Sequence, residues 1–171
     1  TPLNGVINFT NFALQADTLG KKQEYLEKAQ QSASILMSLI NDTLDVSRIE
    51  SGKMELRPAW IGFRELIDGI TLVIQNAADE KGLSFVKEIH FSSDDFAFVD
   101  KLKIQDILMN LLTNAVKYTP KGGSVSLRVM PIEPQAEGKG IQILVSDTGI
   151  GISEAFLPNM YEPFAQEMDP R

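Results

Sequence analysis

The sequence of 171 residues contains no cysteine, which excludes disulfide bonds, thiolate metal sites and a cysteine nucleophile. It has a single histidine, His90, so a histidine-rich metal cluster is excluded as well. No apolar run approaches the roughly 20 residues that a membrane-spanning helix needs. Acidic residues outnumber basic ones, and the net charge of −7 disfavours sequence-independent binding to nucleic acid or to an anionic membrane surface. The hydrophobic content of 43% is that of an ordinary globular protein with a packed core.

The N-terminal part of the chain has the pattern of two helices joined by a short turn. Apolar residues recur at helical spacing over Leu3–Leu14, Asp17–Gly20 predicts a turn with Gly20 as a stop signal, and an uninterrupted helical pattern covers Lys21–Ser51. The apolar sector of the second helix is wider than a two-stranded coiled coil requires. Because a lone hairpin has no closed core, the sequence predicts a homodimer in which two hairpins form a four-helix bundle. The alternative is that these helices pack on the rest of their own chain.

The pattern changes after Gly52, and we place a domain boundary near Arg57. From there on, predicted elements follow in the order helix, strand, strand, helix, strand, strand, which is typical of an α/β sandwich with helices on one face of a mixed sheet. The predicted helices are Phe63–Lys81 and Lys101–Tyr118, and the predicted strands are Leu83–Ile89, Ala97–Val99, Ser124–Met130 and Ile141–Val145.

The helix predicted over Lys101–Tyr118 carries three polar residues on one face, Asn110, Asn114 and Lys117, since they are four and three residues apart. Carboxamide oxygens suit a hydrated Mg²⁺, and a lysine ammonium suits a polyphosphate. Taken alone, the stripe is more typical of a solvated helix surface. The opposite, apolar face is expected to dock on the sheet through Ile104, Ile107, Leu108, Leu111 and Ala115.

A second motif, Asp147–Gly151, directly follows the last predicted strand. A carboxylate at a strand end can accept a hydrogen bond from an exocyclic amine, and Gly149 and Gly151 let the backbone approach a ligand without a Cβ clash. Alone, this motif indicates no more than a strand-ending turn.

The combination of motifs resembles sensor histidine kinases. The helix with the Asn-x-x-x-Asn-x-x-Lys spacing and the Asp-x-Gly-x-Gly loop are similar to that family's N and G1 boxes, in the same order. Tyr161–Phe164 resembles the F box, Thr1–Asn4 resembles the tail of the H box, and Asn41–Gly52 is similar to the second dimerisation helix, particularly of hybrid kinases.

The resemblance implies a dimerisation and histidine phosphotransfer domain over residues 1–57 and a Bergerat-type catalytic domain that binds ATP and Mg²⁺ over residues 58–171. In such a domain Asn114 would coordinate Mg²⁺ and Asn110 would lie beside the phosphates or the metal-bound waters. Lys117 and Tyr118 would contact phosphate and ribose, and Asp147 would bind the adenine amino group. Gly149 and Gly151 would flank the nucleotide. Phe164 would help to dock the catalytic domain and to hold the lid over ATP.

The resemblance also implies an activity: ATP-dependent autophosphorylation of a histidine in the parent protein, followed by phosphorelay to the receiver domain of a response regulator. The acceptor histidine would lie upstream of Thr1 and the glycine-rich G2 box beyond Arg171, so we expect this chain alone not to autophosphorylate. Thr1 occupies the position at which the family orients water during dephosphorylation, and His90 matches no H box and is expected to be structural. Parents of this kind are mostly anchored in the bacterial inner membrane with the kinase core in the cytoplasm.

Two alternatives remain at this point. One is another ATPase of the same fold, such as the gyrase or mismatch-repair group, which places glutamate as general base where Asn110 stands here. The other is a dimerisation or signalling module that keeps the fold without catalysis. Asn110 and the N-terminal hairpin favour the kinase over the first, and the intact Asn114 and Asp147 favour it over the second.

Overall fold

A computed structural model describes residues 2–90, 96–132, 140–162 and 165. The chain divides into two compact units, residues 1–55 and residues 56–171. Within the described residues, no helix combines the length and the apolar character that crossing a bilayer requires.

The first unit is a hairpin of two helices, α1 (Pro2–Gln15) and α2 (Leu19–Glu50). Thr18 caps α2, with its side-chain oxygen accepting a hydrogen bond from the backbone N–H of Lys21 at 3.4 Å. Gly20 was expected to be a stop signal, but it lies inside the first turn of α2, because the Thr18 cap already begins the helix at Leu19. The two helices approach closely at Gly5, where a Cβ would lie 2.7 Å from the Oγ of Ser32.

Little of this hairpin is buried. Among its described residues only Ala13 and Ala29 are buried, and two small side chains make no hydrophobic core. The exposed large apolar residues of the hairpin are Leu3, Ile7, Phe12, Leu14, Leu19, Leu26, Ile35, Met37, Leu39, Ile40, Leu44 and Ile49. The expected association with a second hairpin requires an exposed apolar row of this kind, which it would cover.

The second unit alternates helices and short strands. Its helices are α3 (Phe63–Lys81) and α4 (Lys101–Tyr118), with a short 3-10 helix at Leu157–Asn159. Its strands are β1 (Ala59–Gly62), β2 (Ser84–Ile89), β3 (Phe96–Val99), β4 (Ser124–Ile132) and β5 (Gly140–Asp147). This confirms the predicted class, a helical hairpin followed by an α/β unit.

The strand pairing differs from the single mixed sheet that the sequence predicted. In the described residues β2, β4 and β5 form one sheet, with β2 parallel and β5 antiparallel to β4. β3 instead pairs antiparallel with β1, which is not among the predicted strands. The pairing sets Trp60 opposite Phe98, with ring centroids 5.4 Å apart, and this cross-strand aromatic contact favours the register.

The core lies where α3 and α4 cover the three-stranded sheet. Of the predicted α4 core face, Leu108 and Ala115 are buried, but Ile107 and Leu111 are 55% and 50% exposed, so their assignment to this face is wrong. From Leu108 the buried stripe continues in steps of four residues, through Leu112 and then Val116, instead of through Leu111. The full set of buried apolar residues in this core is Phe63, Leu66, Ile67, Ile70, Ile74, Ala78, Leu83, Ala97, Leu108, Leu112, Ala115, Val116, Val125, Leu127 and Val129.

Candidate functional site

The polar face of α4 is open to solvent, as its sequence pattern predicted. Asn110, Asn114 and Lys117 are all exposed, and neither carboxamide forms a side-chain hydrogen bond with any described residue. The ammonium of Lys117 lies 4.8 Å from the ring centroid of Tyr118, a cation–π distance, and it makes no ion pair within the described chain. The carboxamides and the ammonium are therefore available to an external ligand.

The start of α4 is fixed by Asp100. One oxygen of this carboxylate accepts hydrogen bonds from the N–H groups of Leu102 and Lys103, at 3.1 and 3.2 Å. The other oxygen accepts from the N–H of Arg57 at 2.9 Å. These backbone donors hold the pKa of the Asp100 carboxyl below its ordinary value, because they favour the charged form. The N–H of Arg57 has the largest effect, and that of Lys103 has the next largest.

The end of α4 is fixed by two residues, Thr119 and Lys81. The hydroxyl and the N–H of the buried Thr119 both donate to the carbonyl oxygen of Ala115, at 2.7 and 3.1 Å. The ammonium of Lys81 donates to the carbonyl oxygens of Val116 and Lys117. Carbonyl groups in the last turn of a helix have no partner within the helix, so Lys81 satisfies two acceptors that would otherwise be unpaired. The hydroxyl of Thr119 adds a second donor to the Ala115 oxygen.

The loop after β5 lies directly against this helix end. The N–H of Ile150 donates to the carbonyl oxygen of Tyr118 at 3.2 Å. A Cβ on Gly149 would lie 2.8 Å from that same oxygen and 2.6 Å from Oδ1 of Asp147, so only glycine allows this approach. The structure thus brings together the two motifs that the sequence analysis singled out.

Asp147 is held by its own loop. Its Oδ1 accepts a hydrogen bond from the N–H of Gly149 at 2.8 Å, while its second oxygen has no partner among the described residues. The next residue, Thr148, fastens the loop to β4: its N–H donates to the carbonyl oxygen of Ser124 at 3.0 Å, and its Oγ1 accepts from the N–H of Ser124 at 2.9 Å. Gly151 has a φ of +72°, a conformation that favours glycine.

These features fit a nucleotide with Mg²⁺. The free oxygen of Asp147 can accept a hydrogen bond from an amino group, and the close approach of Gly149 leaves no side chain in the way. The described residues contain no cluster of three or more histidine, cysteine, aspartate or glutamate side chains able to hold a metal. A magnesium ion here would therefore depend on carboxamide oxygens together with water and phosphate oxygens, which is its usual manner of binding at phosphate sites.

For two of the predicted residues the assigned roles stay predictions. Thr1 and Phe164 lie outside the described residues. The side chain of His90 is exposed, and its N–H extends the pairing of β2 with β4 by donating to the carbonyl oxygen of Val129 at 2.9 Å. A cavity of about 340 Å³ lies beside the N-terminal half of α4, and its lining includes Ile104 and Ile107 but neither asparagine.

The residues that fix the end of α4 were not among the predicted site residues. Thr119 follows the helix directly and precedes Pro120, a combination that signals a helix end and could have identified it. Lys81 carried no such signal, because a lysine in the last turn of a helix usually interacts with its own helix end. Its contact with a second helix depends on how α3 packs on α4.

Two protein families match the chain. The His Kinase A (phospho-acceptor) domain matches residues 1–52. The family described as histidine kinase-, DNA gyrase B- and HSP90-like ATPase matches residues 99–171, which include the helix end and the loop described above.

Individual proteins agree with these matches. The virulence sensor protein BvgS of Bordetella bronchiseptica is 36% identical over 168 residues, which are 97% of this chain and 13% of BvgS. Full-length ShkA, solved in complex with AMPPNP, superposes with a TM-score of 0.65 at 25% identity, over 91% of this chain and 32% of ShkA. The histidine kinase ThkA, solved in complex with the response regulator protein TrrA, superposes with a TM-score of 0.63 at 18% identity, over 97% of this chain and 47% of that one.

The chain thus spans only a small part of the length of a relative such as BvgS, but the similarity extends over nearly all of the chain itself. A phospho-acceptor hairpin followed by an ATPase-type α/β unit is the core of a histidine kinase, and this chain belongs to the histidine kinases of two-component systems.

Proposed function

We propose that this chain is the ATP-binding and dimerisation core through which its parent protein phosphorylates a histidine and passes the phosphoryl group to a response regulator. The observation that carries the proposal is the hydrogen bond from the N–H of Ile150 to the carbonyl oxygen of Tyr118. It joins the helix that bears Asn114 to the loop that bears Asp147. This junction supports the proposal that Asn114, as the metal-binding group, and Asp147, as the adenine-binding group, serve one nucleotide.

At the adenine side, Asp147 accepts a hydrogen bond from the exocyclic amino group through the oxygen that its own loop leaves free. Its other oxygen is fixed by the N–H of Gly149, so the carboxylate is oriented before the nucleotide arrives. Gly149 and Gly151 flank the bound nucleotide, where the missing side chains allow close backbone approach.

At the phosphate side, Asn114 coordinates Mg²⁺ and Asn110 contacts the phosphates or the waters of the metal. Lys117 and Tyr118 contact phosphate and ribose, and the exposure of the lysine ammonium supports this role. When bound, ATP would supply the transferable phosphoryl group, and Mg²⁺ would offset part of the negative charge of that group. Phosphoryl transfer requires mainly alignment of the reacting groups and stabilisation of charge. These side chains provide both, and none of them acts as the nucleophile.

The hairpin has a separate part in the proposal. The apolar residues exposed along α1 and α2 support a homodimeric four-helix bundle, since only two alanines are buried within a single hairpin. The response-regulator complex of ThkA supports a receiver domain as the second partner. We place the dimerisation domain at residues 1–57 and the catalytic domain at 58–171.

Three further parts of the proposal concern regions outside the described residues. Thr1 would act in dephosphorylation of the response regulator, and Phe164 would dock the catalytic domain. Anchoring of the parent protein in the bacterial inner membrane would come from other parts of that protein.

Titration of the chain with AMPPNP and Mg²⁺ in a calorimeter tests the nucleotide site. Asn114→Asp and Asp147→Asn should each weaken binding by about 10- to 100-fold, since hydrogen bonds to charged groups contribute about 1.5–3 kcal/mol. Asn76→Asp is the control for the added charge, because Asn76 is exposed on α3 and has no hydrogen bond within the described chain. Unchanged affinity in both site variants would show that the nucleotide binds elsewhere. An equal loss in the control would attribute the effect of Asn114→Asp to its added charge and would contradict the metal-binding role of Asn114.

A further inference from the structure

Lys81 links the ends of the two helices that cover the sheet. It is the last residue of α3, yet its ammonium donates hydrogen bonds to two carbonyl oxygens of α4, that of Val116 at 2.8 Å and that of Lys117 at 2.6 Å. It forms no ion pair with a carboxylate among the described residues. Its charge is therefore directed at the end of α4.

The end of α4 is electrostatically unfavourable for a phosphate. Aligned peptide dipoles place roughly half a negative charge at the C-terminus of a helix, on the carbonyl groups that lack intrahelical partners. Lys117 and Tyr118, the proposed phosphate and ribose contacts, belong to this last turn. An ammonium bonded to two of these carbonyls offsets the negative charge and leaves the side chain of Lys117 free for a ligand.

Backbone contacts hold Lys81 where it is. Gly82 ends α3 with a φ of +71°, and its carbonyl oxygen accepts a hydrogen bond from the N–H of Gly122 at 3.0 Å. The N–H of Ser84 donates to the carbonyl oxygen of Gly123 at 2.9 Å. The turn after α3 is thus fastened to the turn after α4, so the lysine is already in position when it reaches the α4 carbonyls.

We propose that Lys81 is a positioning residue of the nucleotide site. It fixes the last turn of α4, and through the hydrogen bond between Tyr118 and Ile150 it fixes the distance from that turn to the loop of Asp147. This inference rests on the proposed nucleotide-binding function. A simpler role as a stabilising helix cap predicts a lower unfolding temperature with unchanged nucleotide binding to the folded protein.

The test compares Lys81→Met with Lys81→Arg, which keeps a charged donor, and with Lys121→Met as a matched control. Lys121 lies against the same turn, since a Cβ on Gly82 would come within 3.2 Å of its Cε, but it has no hydrogen bond or ion pair among the described residues. Two measurements are made well below the unfolding temperature of each variant. One is the affinity for AMPPNP with Mg²⁺ and for adenosine, and the other is amide hydrogen exchange at Thr119 and Ile150 without nucleotide.

We expect Lys81→Met to weaken AMPPNP binding by about tenfold and adenosine binding by much less, because the contacts of Asp147 and Gly149 stay in place. The amide of Ile150 should exchange faster, Lys81→Arg should restore most of the affinity, and Lys121→Met should match the wild type. Equal losses for both ligands, or unchanged binding and exchange, would overturn the positioning role. Failure of the proposed function looks different: the wild type itself would not bind AMPPNP, while the exchange of Ile150 would still decide whether Lys81 holds the helix end.

Discussion

The carbonyl oxygen of Tyr118 accepts a hydrogen bond from the N–H of Ile150 at 3.2 Å, and in this way the last turn of α4 meets the loop after β5. The contact depends on Gly149, whose missing side chain leaves room for the Tyr118 carbonyl group. Two segments far apart in the sequence are brought together by backbone atoms, so their side chains can face one ligand.

Gly149→Ala should disrupt this junction. The new Cβ would lie 2.6 Å from Oδ1 of Asp147 and 2.8 Å from the Tyr118 carbonyl oxygen, so the loop must move away from the helix. Overpacking of this kind costs about 1–3 kcal/mol of the free energy of unfolding. Urea unfolding should show that loss, and AMPPNP titration should show weaker binding than the loss of stability alone explains.

Gly69→Ala is the control for this substitution. Gly69 lies within α3, and a Cβ there would meet no atom within 4 Å, so alanine should stabilise the protein by about 0.5–1 kcal/mol. Nucleotide affinity should be unchanged in this variant. If Gly149→Ala behaved like Gly69→Ala, the close contact between loop and helix would not exist in solution.

The sequence predicted the helices and the polar face of α4 well, because both depend only on the spacing of residues a few positions apart. Asn110, Asn114 and Lys117 share a face through the helical repeat alone, and the structure leaves all three exposed. Asp147 and its glycines were identified by their position after a strand. Neither pattern indicated by itself that the two motifs adjoin; that expectation came from the family resemblance.

Two features escaped prediction because they depend on tertiary packing. β3 pairs with β1 although α3 and β2 lie between them in the sequence. The local pattern of neither short strand indicates its partner. The contact of Lys81 with the carbonyl groups of α4 likewise requires α3 and α4 to end side by side. Local periodicity also misplaced Ile107 and Leu111, since residues three and four apart both lie near a helix face and only packing decides which is buried.

Asp100→Asn should lower stability in a pH-dependent way. The backbone N–H of Arg57, then that of Lys103, lower the pKa of the Asp100 carboxyl in the folded protein. A carboxylate whose folded pKa is depressed contributes stability that is present above its unfolded pKa and is lost as the pH falls through its folded pKa. The variant should therefore be less stable than the wild type near neutral pH, and the difference should shrink as the pH falls below the ordinary pKa of an aspartate carboxyl, about 3.9.

Asparagine can still accept hydrogen bonds at the start of α4 through its one oxygen, so the difference reports mainly the second oxygen, which binds the N–H of Arg57. Asp106→Asn is a suitable control, since Asp106 is exposed on the same helix and its oxygen lies 3.9 Å from the Lys103 ammonium. Urea unfolding across this pH range measures both variants. A stability difference for Asp100→Asn that stayed constant with pH would contradict the assigned cause of the pKa shift.

Thr119→Val should test the buried hydroxyl at the end of α4. The Oγ1 of Thr119 donates to the carbonyl oxygen of Ala115 at 2.7 Å, and the residue is fully buried. Valine keeps the shape and the backbone hydrogen bond but loses this donor, so we expect a loss of about 1 kcal/mol in the free energy of unfolding. Thr43→Val is the comparison, because the Thr43 hydroxyl makes the same type of bond to Leu39 on an exposed helix surface. The exposed variant should lose less, and equal losses would remove burial as the reason.

The association of the hairpins is tested by placing a charge on their exposed apolar row. Ile40→Glu, in α2, should weaken dimerisation by more than about 100-fold, since an unpaired carboxylate in an apolar interface costs several kcal/mol. Leu72→Glu is the matched control: Leu72 is an exposed apolar residue on α3, outside the hairpin. Analytical ultracentrifugation over a range of protein concentrations should find dimers for the wild type and the control and monomers for Ile40→Glu. A wild-type chain that stayed monomeric at high micromolar concentration, or an Ile40→Glu variant that dimerised as well as the wild type, would contradict a bundle formed through this face of α2.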